Sequence, residues 1–136
     1  MSTLNVDALV GNTSANAITV RGEGSATTSL QQGLCKCSLD LNGSGTIAIR
    51  DSFNIASVAD NGTGIYTPSY TNDFSSINYV YAGSGETSTD GQNGRGISGY
   101  STAVLAGSIK IRAGTKSNNS AEDLVHIRFQ ATGDLA

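Results

Sequence analysis

The chain has 136 residues, of which 38% are hydrophobic and 14% charged, with a net charge of −3 at neutral pH. These values predict one domain of ordinary size and exclude a charge-rich disordered chain. No apolar run reaches the roughly 20 residues of a membrane helix, and the scattered basic residues form no stripe for nucleic acid. Seventeen glycines against one proline indicate a β-protein with many turns.

Residues 1–33 are predicted to form an N-terminal arm. TLNVDALV alternates apolar and polar residues, AITVR indicates a second short strand, and GEGSATTSLQQG is polar. The arm has too few large apolar side chains to bury a core of its own, so it is expected to borrow partners from other chains. No basic region precedes a continuous apolar run, which predicts cytoplasmic synthesis without a signal peptide. The predicted contact residues are Leu4, Val6, Val10, Ile18 and Val20.

The two cysteines follow the arm, in LCKCSLDLN. Alternation places Cys35 and Cys37 on one strand face, where neighbouring Cα atoms lie roughly 6.6 Å apart, near the upper limit for a disulfide. Zinc requires about four ligands, and His126 is the only histidine in the chain. Both cysteines are therefore expected to be buried free thiols that pack as small apolar residues.

Residues 34–136 are predicted to form an antiparallel β-sandwich or barrel, which makes the chain all-β with an extended N-terminal arm. In GTIAIRDSFNIASVADNGTGIYT the alternation stops at Asp60–Gly64, where Asn61-Gly62 is typical of a tight turn. In the last strand, Ile127 and Phe129 are expected on one face and Leu124 and His126 on the other. The predicted strands are 34–42, 45–50, 52–59, 64–71, 77–82, 102–113 and 123–132.

The longest irregular stretch is GSGETSTDGQNGRGISG, residues 83–99. A loop of this length in a small domain is either functional or a surface excursion, and the sequence leaves both readings open. As a functional loop it would recognise a receptor. The candidate receptor residues in and beside it are Asp90, Asn93, Arg95 and Tyr100.

No motif for catalysis, cofactor binding or metal binding is predicted. Residues 94–99 match G-x-G-x-x-G, but a polar loop precedes the match and a strand follows, whereas a dinucleotide site requires a strand before the motif and a helix after it. The acidic residues are scattered and predict no carboxylate pair. His126 is expected on the polar face of a strand. The chain is therefore predicted not to be an enzyme.

Three segments resemble short exterior virion proteins of tailed phages, many from phages of cyanobacteria and other aquatic bacteria and often labelled tail-fibre-like. They are MSTLNVDALVGNTSANAITVRGEGSATTSLQQGL, NGSGTIAIRDSFNIASVADNGTGIYTPSYTNDFSSINY and the terminal ATGDLA. The resemblance implies a non-enzymatic homotrimer on the particle, with an N-terminal attachment region and a β-rich head. It also implies localisation in the virion after synthesis in the host cytoplasm.

Two functions are compatible with this resemblance. In the first, the protein decorates or cements the capsid or forms a short fibre, with the major capsid or tail protein as its partner. In the second, it is a receptor-binding fibre tip that recognises a glycan or protein of the host surface. Copy number per virion would discriminate between them, because capsid decoration requires hundreds of copies and a tail position far fewer.

Overall fold

A computed structural model describes residues 4–12, 17–21, 24–87, 95–115 and 120–136. The chain divides into two compact units, Met1–Leu34 and Cys35–Ala136, which we call the arm and the head. The predicted all-β class is confirmed, since strand is the main secondary structure of the described residues, helix is almost absent from them, and the main sheet is antiparallel and barrel-like. Within the described residues, no helix has the length and apolar character needed to cross a membrane.

The arm contains a two-stranded antiparallel ribbon and one helical turn. Strand β1 (Thr19–Arg21) pairs with β2 (Thr27–Ser29), and helix α1 (Leu30–Gly33) follows at once. Ser29 caps this turn, its side chain accepting a hydrogen bond from the Gln32 backbone N–H. The alternation of residues 4–10 predicts a strand, and this was wrong, since no strand forms there; the polar segment that follows AITVR contains β2 and α1.

The head is built on one eight-stranded antiparallel sheet with the order β4-β3-β10-β7-β8-β9-β6-β5. Most neighbours are hairpins, and β10 brings the end of the chain between β3 and β7. The strands are β3 (Cys37–Asn42), β4 (Ala48–Phe53), β5 (Ile55–Asp60), β6 (Ile65–Tyr70), β7 (Val80–Glu86), β8 (Arg95–Leu105), β9 (Ser108–Thr115) and β10 (His126–Thr132).

The sheet is nearly closed into a barrel because its two outermost strands are consecutive in the chain. Only Asn54 separates β4 from β5, and its φ of 57° turns the chain between them. The Asn54 amide donates to the carbonyls of Lys36 and Asn72, both at 3.0 Å, and its oxygen accepts from the Asn72 backbone N–H at 2.7 Å. One side chain therefore joins the entry to β3 and the exit of β6 at the seam.

The core lies inside the barrel, where β3, β6, β9 and β10 alternate buried and half-buried or exposed residues. This period of two follows from the pleat, which directs successive side chains to opposite faces. An edge-to-face and stacked cluster of Tyr70, Phe74 and Tyr79 fills one part of it. The buried apolar residues are Cys37, Leu39, Leu41, Tyr66, Tyr70, Phe74, Tyr79, Ile109, Ile111, Ala113, Leu124, Ile127, Phe129 and Ala131.

Small residues on β7 and β8 allow large neighbours to approach the backbone. A Cβ at Gly99 would lie 2.4 Å from the Tyr81 hydroxyl, and one at Gly85 would lie 2.2 Å from Leu124 Cδ1. Both distances are too short for a real contact, so a larger residue at either position would force the Tyr81 or Leu124 side chain to move. The aromatic and aliphatic side chains of adjacent elements cover the backbone that the missing side chains leave open.

Two predictions about strands of the head were wrong. Residues 102–113 are not one strand, because a turn at Ala106-Gly107 separates β8 from β9. The stretch 83–99 is not irregular throughout, since its first residues belong to β7 and its last ones to β8. In contrast, the turn predicted at Asp60–Gly64 is confirmed, with a φ of 109° at Gly62.

For three side chains, the strand alternation predicted the wrong environment, buried or exposed. Cys35 is exposed and Lys36 buried, because β3 begins only at Cys37 and the alternation does not extend to the residues before it. Leu124, expected on the polar face, is fully buried. It precedes β10, so its direction is set by the connecting segment rather than by strand alternation.

Candidate functional site

The predicted contact residues of the arm lie mainly at the surface of the chain. Leu4 is 77% exposed and Val10 83%, while Val6 and Val20 are each about half exposed. Ile18 is half-buried, and its carbonyl accepts a hydrogen bond from the Leu30 backbone N–H. A two-stranded ribbon is at best marginally stable in water. The arm therefore presents aliphatic side chains that its own fold leaves uncovered.

The four candidate receptor residues do not form one described site. Asp90 and Asn93 lie outside the described residues. Arg95 lies in β8, where its Nε donates to Glu122 Oε2 at 2.9 Å. The Thr115 hydroxyl donates to the other oxygen of Glu122. These two hydrogen bonds, from Thr115 and then Arg95, lower the pKa of Glu122. Arg95 is thus engaged within the head.

Tyr100 lies farther along β8 on a small surface cleft of about 260 Å³. The cleft is lined by Ser98, Gly99, Tyr100 and Arg112. Lys110 Nζ lies 5.3 Å from the centre of the Tyr100 ring, within the range of a cation–π contact. Of the two candidate receptor residues within the described part of the chain, Tyr100 is therefore the one that lies at an open surface feature.

A larger depression lies on the outer face of β4, β3, β10 and β7, and we call it the outer groove. Its volume is about 470 Å³. Register places its side chains in rows across the strands, with Asp51 beside Asp40, Asp40 beside Arg128, and Arg128 beside Ser84. The groove is lined by Ser38, Leu39, Asp40, Asp51, Ala82, Gly83, Ser84, Arg128, Phe129 and Gln130.

Ion pairs orient one row of the outer groove. Arg128 Nε lies 3.7 Å from Asp40 Oδ2, and its Nη1 pairs with Glu86. His126 Nδ1 lies 2.9 Å from Asp40 Oδ1, and Arg50 Nη1 lies 4.0 Å from the same oxygen. Such partly exposed pairs contribute little to stability. Their main effect is to hold the Asp40 carboxylate and the Arg128 guanidinium in defined positions.

Four further polar side chains of the outer groove have no hydrogen-bond or ion-pair partner within the described part of the chain. They are Ser38, Asp51, Ser84 and Gln130. These side chains offer hydroxyl, carboxylate and amide groups, which include both donors and acceptors. The ion-paired Asp40 and Arg128 therefore lie beside polar groups that have no hydrogen-bond partner among the described residues. Such an arrangement can bind a polar ligand.

Sequence reasoning assigned no function to this surface. The alternation of β3 and β10 places Ser38, Asp40, Arg128 and Gln130 outward, and this signal was visible in the sequence. The sequence does not reveal that β3 and β10 are neighbours, because Asp40 and His126 are 86 positions apart in the chain. The pairing of these strands creates the groove.

The two cysteines form neither a disulfide nor a metal site in the described residues. Both thiols are free, and the Cys35 Sγ–H donates to the Cys37 carbonyl at 2.9 Å. Burial, together with the nearby Cys35 thiol, raises the pKa of Cys37 to about 12. Because only a thiolate is a good nucleophile or ligand, the Cys37 side chain acts as a packing residue. Among the described residues, no group of three or more His, Cys, Asp or Glu is arranged to hold a metal ion.

Comparisons with known proteins leave the chain without an assigned family: no family model, curated protein or solved structure matches it.

Proposed function

We propose that the protein is a non-enzymatic structural component on the exterior of a tailed-phage virion. It assembles as a homotrimer that decorates or cements the capsid or forms a short fibre. The arm contacts neighbouring subunits and the major capsid or tail protein, and the β-barrel head faces outward. The protein is made in the host cytoplasm and functions in the particle.

The observation that carries this proposal is the exposure of apolar side chains along the arm. Leu4, Val6, Leu9, Val10 and Val20 are all more than half exposed. Burial of apolar surface stabilises by roughly 25 cal/mol per Å², so association that covers these side chains is favourable. Association with another protein would remove these side chains from water.

The particle and the three-fold symmetry rest on the resemblance of the three sequence segments to exterior virion proteins. The form of the head is compatible with this role. Its buried Tyr66 donates a hydrogen bond to Asp123 Oδ1 at 2.9 Å, and Asp123 accepts another from the Gly64 N–H at 2.7 Å. Such hydrogen bonds between segments distant in the chain suit a protein that must stay folded outside a cell.

The proposal is tested by charge substitutions in the arm. We expect Val6→Asp combined with Ile18→Asp to prevent co-sedimentation with virions and to reduce the trimer to a monomer in light scattering. The head should remain folded, as judged by its tyrosine fluorescence. Thr27→Asp is the matched control, since it adds a charge at an exposed polar position of β2. A wild-type chain that is monomeric at micromolar concentration would overturn the homotrimer.

Receptor recognition is the second candidate function, and the cleft beside Tyr100 is the observation that favours it. Tyrosine combines a flat apolar ring with a hydroxyl, which suits contact with a sugar or a protein. If the protein is a fibre tip, Tyr100→Ala should reduce adsorption of phage to host cells while particles remain intact. Capsid decoration instead predicts unchanged adsorption and hundreds of copies per particle.

A further inference from the structure

We propose that the outer groove is a binding site for an uncharged saccharide. This inference goes beyond the structural role and does not depend on how the arm attaches. It rests on the shape of the groove, the pattern of its polar groups, its charge and one exposed aromatic side chain beside it.

The floor of the groove is made of small side chains. Ser38, Ala82, Gly83 and Ser84 contribute little height, while Arg128 on β10 is long. This leaves a shallow, open volume of about 470 Å³ with no deep apolar pocket. A shallow, open surface is suited to a pyranose ring, which presents hydroxyl groups around its rim.

The polar groups provide both donors and acceptors. Asp51 accepts, Gln130 both donates and accepts, and Ser38 and Ser84 can do either. The Asp40–Arg128 pair adds a fixed acceptor and a fixed donor. A sugar hydroxyl both donates and accepts a hydrogen bond, so adjacent hydroxyls match such a surface. Because the ion pairs already orient two of these groups, less side-chain entropy is lost on binding.

Charge argues against a polyanion as the ligand. Three carboxylates, those of Asp40, Asp51 and Glu86, stand near two guanidinium groups, those of Arg50 and Arg128. The excess of one carboxylate gives no attraction for phosphate or sulfate groups. An uncharged ligand avoids this repulsion.

Strand pairing argues against an extended peptide. The groove lies on the face of the sheet, where ladders between β4, β3, β10 and β7 already occupy the backbone groups of β3 and β10. A peptide strand binds by adding to a free edge, and β3 and β10, in the middle of the groove, are paired on both sides. Side-chain hydrogen bonds therefore dominate recognition here.

Phe53 supplies an aromatic surface next to the groove. It is the register partner of Ser38 on β4, so the two side chains share the outer face, and it is 58% exposed. The C–H faces of a sugar pack well on an aromatic ring. Polar groups from four strands and an adjacent ring thus provide both kinds of contact that a saccharide requires.

The test uses the full-length protein and three neutral probes, maltohexaose, cellohexaose and mannohexaose, with heparin as the anionic comparison. We expect saturable binding of at least one neutral probe by calorimetry. Amide chemical-shift changes should cluster at residues 38–40, 51–53 and 128–130. No binding of any neutral probe up to about 10 mM, a limit that weak sites reach, would overturn the proposal. Binding of heparin alone, or shift changes confined to the cleft beside Tyr100, would also overturn it.

Substitutions in the outer groove test which side chains contact the saccharide. Asp51→Asn, Gln130→Ala and Phe53→Ala should each weaken binding about ten-fold, the effect of one lost hydrogen bond or packing contact. Asp7→Asn is the matched control, since it removes a carboxylate from an exposed position in the arm and should leave affinity unchanged. Unchanged thermal unfolding of each variant shows that the fold is intact, and wild-type affinity in all three groove variants would refute the assignment. Attachment to virions is measured separately, so failure of either proposal leaves the other distinguishable.

Discussion

Residues 4–10 and strand β10 have the same alternation of apolar and polar residues, yet they have opposite environments. In β10, Ile127 is fully buried and Phe129 nearly so, because β3 and β7 pair with it on both sides. In the arm, Leu4 and Val10 are exposed and no strand forms. Alternation therefore marks which residues could share a face, and partner strands decide whether that face becomes a core.

The largest expected effect comes from shortening one apolar side chain in each of these two segments. Ile127→Ala removes a fully buried side chain and should lower the free energy of unfolding by about 2–5 kcal/mol. Val6→Ala removes exposed surface and should change it by less than about 0.5 kcal/mol. Both are measured by denaturant unfolding followed by tyrosine fluorescence, since all five tyrosines lie in the head. Equal losses would show that the arm belongs to the folded core.

A second prediction compares two glycines that have similar backbone conformations but different surroundings. Gly64 and Gly45 have similar positive φ angles, 65° and 69°. A Cβ on Gly64 would lie 2.5 Å from the Glu122 backbone nitrogen, whereas one on Gly45 would meet nothing within 4 Å. We expect Gly64→Ala to cost about 2–4 kcal/mol and Gly45→Ala about 1 kcal/mol, measured by thermal unfolding. Similar costs would mean that backbone strain alone sets both values.

A third prediction concerns alkaline pH and sharpens the contrast between arm and head. Burial, more than hydrogen bonding, raises the pKa of Tyr66, Tyr70 and Tyr79. Their protonated forms are therefore retained in the folded state, while unfolded tyrosines ionise near pH 10. Stability should be complete below about pH 10 and fall as the pH rises above it, by about 1.4 kcal/mol per pH unit for each such group.

Urea unfolding between about pH 9 and 12 measures this slope. Tyr66→Phe removes one of the three groups and should make the decline shallower. Val6→Ala should leave it unchanged, since the arm contains no tyrosine. A flat profile through this range would contradict the burial of the three hydroxyls.

Much of the fold could be predicted from the sequence because strands and turns leave local signals. The alternation in Ile127 and Phe129, the Asn61-Gly62 turn and the richness in glycine all arise from the pleat of a strand and from positive φ angles. These signals involve neighbours in the chain. They identified an all-β antiparallel head correctly, and they failed where the alternation runs past the end of a strand, as at Cys35.

Strand partners could not be predicted, because pairing depends on contacts between residues far apart in the chain. The closure of the barrel at Asn54, the turn at Ala106-Gly107 within an apparently continuous strand, and the strand structure at both ends of 83–99 all follow from such contacts. The outer groove has the same origin. The sequence by itself determined that Asp40 and Arg128 point outward from their strands, and only the tertiary structure, by placing β10 beside β3, made them parts of one surface.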